Sequence, residues 1–329
     1  MGKYKKIFAG FVGLAILSQV MIVNSNAASS SKAYCPGSMM MPMGDMGKHP
    51  HALGNGTVPE YAGYKLNLLS SNLKPGKSNI LKYNITDAKN KVVTKYLLDM
   101  GKIAHTIIFS SDYKTYIHKH AVIDKTGVFT LSVDFPKAGT YHMDVDFSVP
   151  MAVDKNTNGA QFVLGKDLIV GSKSAFSNTT KPACVFSSNG YKISLSRTTL
   201  PLTHDTLMVS VSKNGQPVLF GKYLGTLAHM VVIRNSDRSY AHFHPMNADG
   251  SMPPMWSDVV DVSKGNTDSY TDANPSSKDI IPFNPKEVNP ALGMLHFMTE
   301  PPGAGRYTAY LQFIDGNKLQ TLTFTLDAK

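Results

Sequence analysis

Short runs in which apolar and polar residues alternate fill the chain from Tyr64 onward. Residues 106–109, 129–133 and 207–211 are examples, rich in Val, Ile, Leu, Phe and Thr. Turn-forming Lys, Asn, Asp, Pro and Gly residues separate the runs, and no long stretch has the 3.6-residue period of a helix. A period of two between closely spaced turns predicts an all-β protein built from sandwiches.

The same layout of runs occurs twice. Residues 101–120 align without gaps with residues 225–244, and six positions are identical: Gly, Ala, His, Tyr, His and His. We therefore predict two tandem β-sandwich domains, at residues 63–172 and 190–329, joined by a linker at 173–189. The second domain carries an insertion at residues 251–292 that is too long for an ordinary hairpin loop, so we expect a lid or a mobile flap.

The first 27 residues have the pattern of a signal peptide. Three lysines precede an apolar run at residues 7–23, and Ser-Asn-Ala at 25–27 suits cleavage after Ala27. A retained anchor is the alternative, because the run is slightly long for a signal peptide and slightly short for a spanning helix. No later segment is apolar for long enough to span a membrane. From the signal-peptide pattern we expect an extracytoplasmic protein, secreted or in the cell envelope.

The net charge of the chain excludes few classes of binding partner. There are 33 Lys and Arg against 23 Asp and Glu, a net charge of +10, but only four of the basic residues are Arg and the lysines are spread along the chain. Nucleic-acid binders concentrate such residues on one element. We therefore expect no nucleic-acid partner, and weak attraction to an anionic envelope at most.

The chain has two cysteines, Cys35 and Cys184. In an oxidising compartment an even pair predicts a single disulfide, which would tie the N-terminal region to the middle of the chain. The alternative is that Cys35 is a free thiolate that binds metal beside the methionines that follow it.

Each repeat has one histidine followed 13 and 15 residues later by two more. The two triads are His105, His118 and His120, and His229, His242 and His244. Residues two apart in a strand share a face, so the last two of each triad point the same way. A turn centred on residues 111–112, or on 235–236 in the second repeat, would place the first and second histidines directly opposite each other, with Cβ atoms about 5 Å apart. Three imidazoles on one face of a hairpin predict a Zn²⁺ or Cu²⁺ site.

A structural role for these histidines is the alternative. A histidine on a strand is usually a packed or surface side chain, and His105 has apolar neighbours that would bury it. The recurrence of the spacing in both repeats favours metal binding. His142 and His296 are expected on neighbouring strands, as fourth ligands or as bystanders, and His204 has no evident partner. Asp112 and Asp237 are the acidic residues nearest to the triads in sequence.

Residues 28–62 are rich in Ser, Gly, Pro, Met and His and predict a flexible arm. Its candidate ligands are Met39, Met40, Met41, Met43, Met46, His49 and His51. Thioethers favour Cu(I), whereas imidazoles also suit Cu(II). Zinc would not explain the thioethers, so the arm favours copper, with zinc still an option at the triads. A low-complexity linker or an adhesive apolar patch is the other interpretation of the arm.

Both repeats contain Ala-His, then His-x-His, then Pro-x-x-Gly-x-Tyr, starting at Ala104 and at Ala228. This pattern resembles secreted bacterial β-sandwich proteins of the YtkA-like group and, more distantly, cupredoxin-like and immunoglobulin-like domains. The resemblance covers nearly all of residues 64–327 and implies a Greek-key sandwich of seven or eight strands in each repeat. The arm is similar to those of bacterial envelope copper-handling proteins.

The chain also departs from the copper families. The residues that follow Tyr141 and Tyr307 contain no Cys, which a type 1 copper site requires, and the His-Cys-His of multicopper oxidases is missing. Electron transfer by a blue copper centre is therefore not expected. No motif of a common hydrolase or of a phosphate-binding loop is present either.

Together these patterns predict an exported, non-catalytic metal-binding protein that captures or delivers copper in the cell envelope. Its expected partners are the metal ion and another envelope copper protein. The alternative is an envelope structural or interaction protein whose histidines are fold residues. A metalloenzyme that uses one three-histidine face with an open position is a third option.

Overall fold

The computed structural model describes Cys35 and residues 52–150, 159–247, 250–253, 256–265, 280–284 and 292–329, apart from the side chains at 256 and 257. The predicted signal peptide and most of the predicted arm lie outside these residues. Within the described part of the chain, all regular structure is β-strand except one short 3-10 helix, Val262–Lys264. The prediction of an all-β protein is confirmed. No helix among the described residues has the length and apolar character needed to cross a membrane.

Ten strands form the first sandwich. They are β1 (Glu60–Tyr61), β2 (Tyr64–Leu68), β3 (Ser78–Thr86), β4 (Lys95–Asp99), β5 (Ala104–Ser110), β6 (Tyr116–Lys119), β7 (Val122–Ile123), β8 (Val128–Asp134), β9 (Gly139–Pro150) and β10 (Gly159–Val170). One sheet has the order β1-β2-β3-β8-β7. The other contains β4-β9-β5-β6, with β10 also paired to β9.

The remaining strands follow from β11 onward, and most of them form the second sandwich. They are β11 (Val185–Ser188), β12 (Tyr191–Leu195), β13 (Thr199–Leu200), β14 (Asp205–Lys213), β15 (Gln216–Pro217), β16 (Lys222–Tyr223), β17 (Ala228–Arg234), β18 (Tyr240–Phe243), β19 (Trp256–Asp261), β20 (Ile280–Ile281), β21 (Met294–Thr299), β22 (Gly305–Asp315) and β23 (Lys318–Ala328). One sheet has the order β11-β12-β14-β15, with β21 paired to β14, and the other has β13-β23-β22-β17-β18.

Burial patterns separate the outer strands from the central ones. Along β8 buried residues alternate with less buried ones, because one face packs on the core and the other meets solvent. Strand β9 also alternates apolar and polar residues, yet every residue except the last is buried. Its apolar side chains lie in the core of the first sandwich. Its polar side chains are therefore enclosed on the opposite face, where another part of the protein must cover them.

The second sandwich provides this cover. A cluster of buried apolar side chains, here called the interface cluster, joins the two sandwiches. It consists of Ile107, Phe109, Tyr113, Val163, Val231, Ile233, Tyr240 and Tyr310. The ring of Tyr116, in the first sandwich, stacks on the ring of Tyr310, in the second, with centroids 4.2 Å apart. Strands β5 and β17 thus face each other across the interface, and each carries the first histidine of a triad.

Part of the insertion completes the first sandwich. Strand β19 pairs antiparallel with β4, and Val262, with 0% of its surface exposed, packs into the core of the first sandwich. Strand β20 pairs with β16. Residues 256–261 therefore belong to a sheet and Val262 to a core, so this part of the insertion is not a lid or flap.

Cys35 and Cys184 form a disulfide, with Cα atoms 5.5 Å apart and a sequence separation of 149. Cys35 is buried in the core of the second sandwich, and its backbone N–H donates to the carbonyl oxygen of Ser196 at 2.9 Å. This pairing removes the alternative in which Cys35 is a free metal thiolate.

Candidate metal centre

The first triad gathers on one hairpin. His105 lies on β5, His118 lies on β6, and His120 directly follows β6. All three side chains are buried, with exposed fractions of 0%, 6% and 1%. The Nδ1 atom of His105 lies 3.1 Å from Nε2 of His118 and 3.2 Å from Nε2 of His120. Ligands about 2.0–2.1 Å from a tetrahedral metal ion are about 3.3 Å apart, so these nitrogens already have nearly the spacing that an ion requires.

The second triad repeats this geometry. His229 lies on β17, His242 lies on β18, and His244 directly follows β18. The Nδ1 atom of His229 is 3.1 Å from Nε2 of His242 and 3.1 Å from Nε2 of His244. The same three nitrogens converge in both triads. His229 is buried, and His242 and His244 are half-buried as whole residues, although only 2% of the His242 side chain is exposed.

The predicted register of both hairpins was wrong. His118 lies opposite Ile107, which makes His105 its diagonal neighbour. In the second hairpin, likewise, His242 lies opposite Val231. Each turn is centred one residue later than predicted, so the triads form by diagonal contacts across the strands. The prediction that all three rings share one face of a hairpin holds in this shifted register.

The aspartates closest to the triads in sequence explain the shift of the turns. The Asp112 carboxylate accepts from the backbone N–H of Lys114 at 3.1 Å, and the Asp237 carboxylate accepts from the backbone N–H of Ser239 at 3.0 Å. Asp237 also binds the guanidinium of Arg234. Aspartates that bond to the backbone two residues on define a turn. The turns, and not the imidazoles, use these two carboxylates.

Backbone carbonyl groups hold the first histidine of each triad. His105 Nε2 lies 3.3 Å from the carbonyl oxygen of Asp99, and His229 Nε2 lies 3.0 Å from the carbonyl oxygen of Tyr223. A carbonyl oxygen only accepts, so each Nε2 carries the hydrogen. The Nδ1 atom of each ring then presents a lone pair to the other two histidines.

Gln312 fixes His118 from across the interface. His118 Nδ1 lies 2.7 Å from Oε1 of Gln312, whose Nε2 donates to the hydroxyl of Thr321 at 3.1 Å. With the amide in this orientation, His118 donates through Nδ1 and its Nε2 is a lone pair. That lone pair faces the lone pair of His105 Nδ1 at 3.1 Å. Two lone pairs at this distance repel each other unless a cation lies between them.

Burial lowers the pKa of all six imidazoles. The pKa of His118 and of His244 falls to about 4. For the other four the pKa lies well below 6.5, and repulsion between neighbouring histidines adds to the effect of burial. The rings are therefore neutral near pH 7, which is the form that coordinates a metal ion.

The two triads lie against each other at the interface between the sandwiches. The ring centroid of His105 is 5.4 Å from that of His242, and the ring of His118 is 6.0 Å from that of His229 and 5.9 Å from that of His242. All six histidines thus belong to one cluster. The sequence predicted each triad but not their meeting.

Strand β9 adds a buried carboxylate to this cluster. Asp146 lies opposite His105 in the sheet, and its Oδ2 is 3.9 Å from Nδ1 of His242. Its two oxygens accept from Gln161 at 2.8 Å and from the hydroxyl of Tyr240 at 3.1 Å. Burial raises the pKa of Asp146 to about 7. The carboxyl group of Asp146, in the first sandwich, thus lies beside the imidazole of His242, in the second.

Sequence reasoning missed Asp146 and Gln312. Both lie five residues after the tyrosine of the Gly-x-Tyr motif, at equivalent positions of the two repeats. Each stands opposite the first histidine of its own triad. An alignment of the two repeats places Asp146 and Gln312 at the same position. Because the residue types differ, the shared role of this position is not evident from the sequence.

A cavity of about 650 Å³ opens beside the second triad. Its lining includes His242 and His244 and three acidic residues, Asp99, Asp146 and Glu300. No histidine of the first triad lines this cavity. The second triad is therefore open to this cavity, whereas the first triad does not line it.

His142 belongs to a separate polar network. Its Nδ1 lies 2.6 Å from Asp167, and its Nε2 lies 2.8 Å from the carbonyl oxygen of Gly56 and 3.3 Å from Asp144. Burial lowers the pKa of His142, but the two carboxylates outweigh burial and raise that pKa to about 9. A protonated ring cannot be a metal ligand, so His142 is not a fourth ligand.

The remaining predicted ligands are not part of this cluster. His296 lies on β21 opposite Met208, and His204 pairs with Glu300 at 2.6 Å. The ligand atoms that converge among the described residues are those of the two triads. The predicted ligands of the arm lie outside the described residues: Met39, Met40, Met41, Met43, Met46, His49 and His51.

Comparison with known proteins identifies one family. A model described as a domain of unknown function (DUF8832) matches residues 59–163 and 186–329, which contain both triads. No curated protein matches the chain at a significant level. The YtkA-like and cupredoxin-like identities are not among these findings and stay a resemblance.

Solved structures give only distant likenesses. An alpha-2-macroglobulin of Salmonella has a TM-score of 0.23 and 9% identity over 84% of this chain and 16% of its own. An adhesin of Escherichia coli has a TM-score of 0.22 and 12% identity, with 85% of this chain and 66% of its own covered. An adhesin of Yersinia pseudotuberculosis has a TM-score of 0.20 and 11% identity, with 83% and 60% covered. The chain spans less than two thirds of each of these proteins, and likenesses this weak indicate no function.

Proposed function

The chain belongs to the DUF8832 family, a domain of unknown function, and we therefore propose its function from the site itself. The protein binds metal ions, one in each histidine triad, and copper is the favoured metal. The function is non-catalytic: the protein captures and holds the ion outside the cytoplasm.

The facing lone pairs of His105 and His118 carry this proposal. Their outer nitrogens donate to Asp99 and Gln312, so their inner nitrogens, 3.1 Å apart, have no hydrogen to share. A hydrogen bond between these two nitrogens would need a hydrogen on one of them, and the outer contacts place the hydrogen of each ring elsewhere. A bound cation satisfies both lone pairs, and the outer contacts then orient the ligands.

The ligand set suits copper and zinc alike, and other features favour copper. Three neutral imidazoles bind Cu(I), Cu(II) or Zn²⁺. The methionines of the arm are soft ligands that suit Cu(I) and not zinc. The buried first triad favours long retention of an ion, so we propose capture and storage ahead of delivery to another envelope copper protein.

Export is supported by two independent features. The first 27 residues have the pattern of a signal peptide. The disulfide between Cys35 and Cys184 requires an oxidising compartment to persist. We propose that the protein works in the cell envelope or is secreted.

Metal titration of the full chain tests the proposed function. Cu(I), Cu(II) and Zn(II) are added separately, and bound metal is measured after gel filtration. We expect two ions per chain in the wild type and one in the double variant His118→Asn with His120→Asn. His296→Asn, which changes a half-buried histidine outside the triads, is the matched control and should bind two. A wild type without bound metal, or a double variant with unchanged stoichiometry and native circular dichroism, would contradict the proposal.

A further inference from the structure

We propose that the two triads form a single two-metal centre, shared by both sandwiches, in which the two ions interact directly. This inference rests on the proposed function and adds that the ions are neighbours and not occupants of independent sites.

The spacing of the rings is the first support. The centroids of His105 and His242, which belong to different triads, are 5.4 Å apart. The centroids of His105 and His118, which belong to the same triad, are 5.3 Å apart. Rings of different triads are thus packed nearly as closely as rings that would share one ion. Two ions held by such rings lie close enough for their unpaired electrons to interact.

The outer contacts cross between the sandwiches. Gln312, opposite His229 in the second sandwich, holds His118 of the first at 2.7 Å. Asp146, opposite His105 in the first sandwich, approaches His242 of the second at 3.9 Å. Gln312 therefore supports a ligand of the other triad through a hydrogen bond, whereas Asp146, at the equivalent position, lies beside His242 at a distance too long for one. The first triad is thus completed by the opposite sandwich, as expected for one shared centre.

The surroundings can balance the charge of more than one ion. Asp99 and Asp146 are buried, with 5% and 1% of their surface exposed, and both line the cavity beside the second triad. Ions in a buried site need compensating charge close by. When ionised, these two carboxyl groups supply two negative charges, which equal the charge of two Cu(I) ions and half the charge of two Cu(II) ions.

Electron paramagnetic resonance of the copper-loaded full chain tests the paired centre. The chain receives two equivalents of Cu(II), with ferricyanide to keep copper divalent, and total copper is measured on the same sample. Two matched double variants each remove one triad: His118→Asn with His120→Asn, and His242→Asn with His244→Asn. Each should bind one ion and give the full signal of one isolated Cu(II). The wild type should bind two ions and give either less than half of the summed signal or a broadened spectrum with a half-field transition.

The outcomes separate this inference from the proposed function. Two bound ions whose spectrum equals the sum of the single-triad spectra would overturn the paired centre and leave the proposed function intact. A wild type that binds no copper overturns both. If a double variant does not fold, the wild type alone still tests the paired centre. Its spin count relative to its copper content, together with its line shape, shows whether the two ions interact.

Discussion

The outer contacts of the histidines decide what their inner nitrogens can do. An imidazole whose outer nitrogen donates to a fixed acceptor has a free lone pair inside, and this holds for His105, His118 and His229. The sequence predicted the two triads, because His-x-His recurs at a fixed distance from an earlier histidine. It could not predict Gln312 as the partner of His118, because they lie 194 residues apart and in different sandwiches.

Loss of the Gln312 acceptor is expected to weaken metal binding. In Gln312→Leu, His118 Nδ1 loses its acceptor, the ring is free to change tautomer, and affinity at the first triad should fall about 10–100-fold. Gln320→Leu, at a half-buried position on β23 whose amide contacts the carbonyl of Lys318, is the matched control and should leave affinity unchanged. Competition titration with a chelator of known affinity measures both, and equal affinities for the two variants would refute the role of Gln312.

His142 is expected to make stability depend on alkaline pH. Its pKa in the folded state is raised to about 9 from 6.5, so its stabilisation is fully present below pH 6.5 and is lost as pH rises through 9. Replacement by Asn should cost at most about 3 kcal/mol at pH 6 and much less above pH 9. Urea unfolding of both proteins at pH 6, 7.5 and 9.5 measures the difference. A difference that does not change with pH would show that the ring is neutral in the folded protein.

Single strands show where an alternating pattern is informative and where it is ambiguous. Alternation along β8 and β9 correctly indicates strands, and the apolar side of each lies in the core. The sequence pattern indicates that the polar side of β9 faces solvent, yet this side is buried. A polar face that supports a buried site has the same period of two as a face that meets water, so the sequence could not reveal the interface. The prediction of a lid or flap for the insertion missed strand β19 for a different reason. This strand pairs with β4, more than 150 residues earlier in the chain, and a local pattern does not reveal such a distant partner.

Substitutions next to β19 test whether the insertion stabilises the first sandwich. Val262, with 0% exposed, packs in that core, so Val262→Ala should lower the free energy of unfolding by about 1–3 kcal/mol. Val259→Ala, at a position 56% exposed on β19 itself, should change it by less than about 0.5 kcal/mol. Chemical denaturation compares the two. Similar small effects would mean that β19 contributes little to the stability of the sandwich.

At the scale of the whole molecule, the interface between the sandwiches brings the chemistry together. The interface cluster holds β5 against β17, and the two hairpins bring six histidines into one place. The repeat in the sequence predicted two similar domains and two similar triads. Their meeting depends on how two folded surfaces pack, which a pattern within either repeat cannot specify.

The difference in access between the triads predicts two rates of metal release. The second triad faces the cavity, whereas the first triad is buried and does not line it. A chelator added to the fully loaded protein should remove one ion quickly and the other much more slowly. The variant His118→Asn with His120→Asn, which keeps only the second triad, should show the fast phase alone. Release of both ions in a single phase would indicate equal access.

Anomalous X-ray diffraction from crystals loaded with copper tests the central claim most directly. Data collected on both sides of the copper absorption edge locate copper without reference to the protein coordinates. We expect two anomalous peaks, each about 2.0–2.1 Å from Nδ1 of the first histidine and Nε2 of the other two in its triad. Peaks confined to histidines outside the triads, such as His204 and His296, with none among the six clustered imidazoles, would contradict the claim that the triads are the metal site.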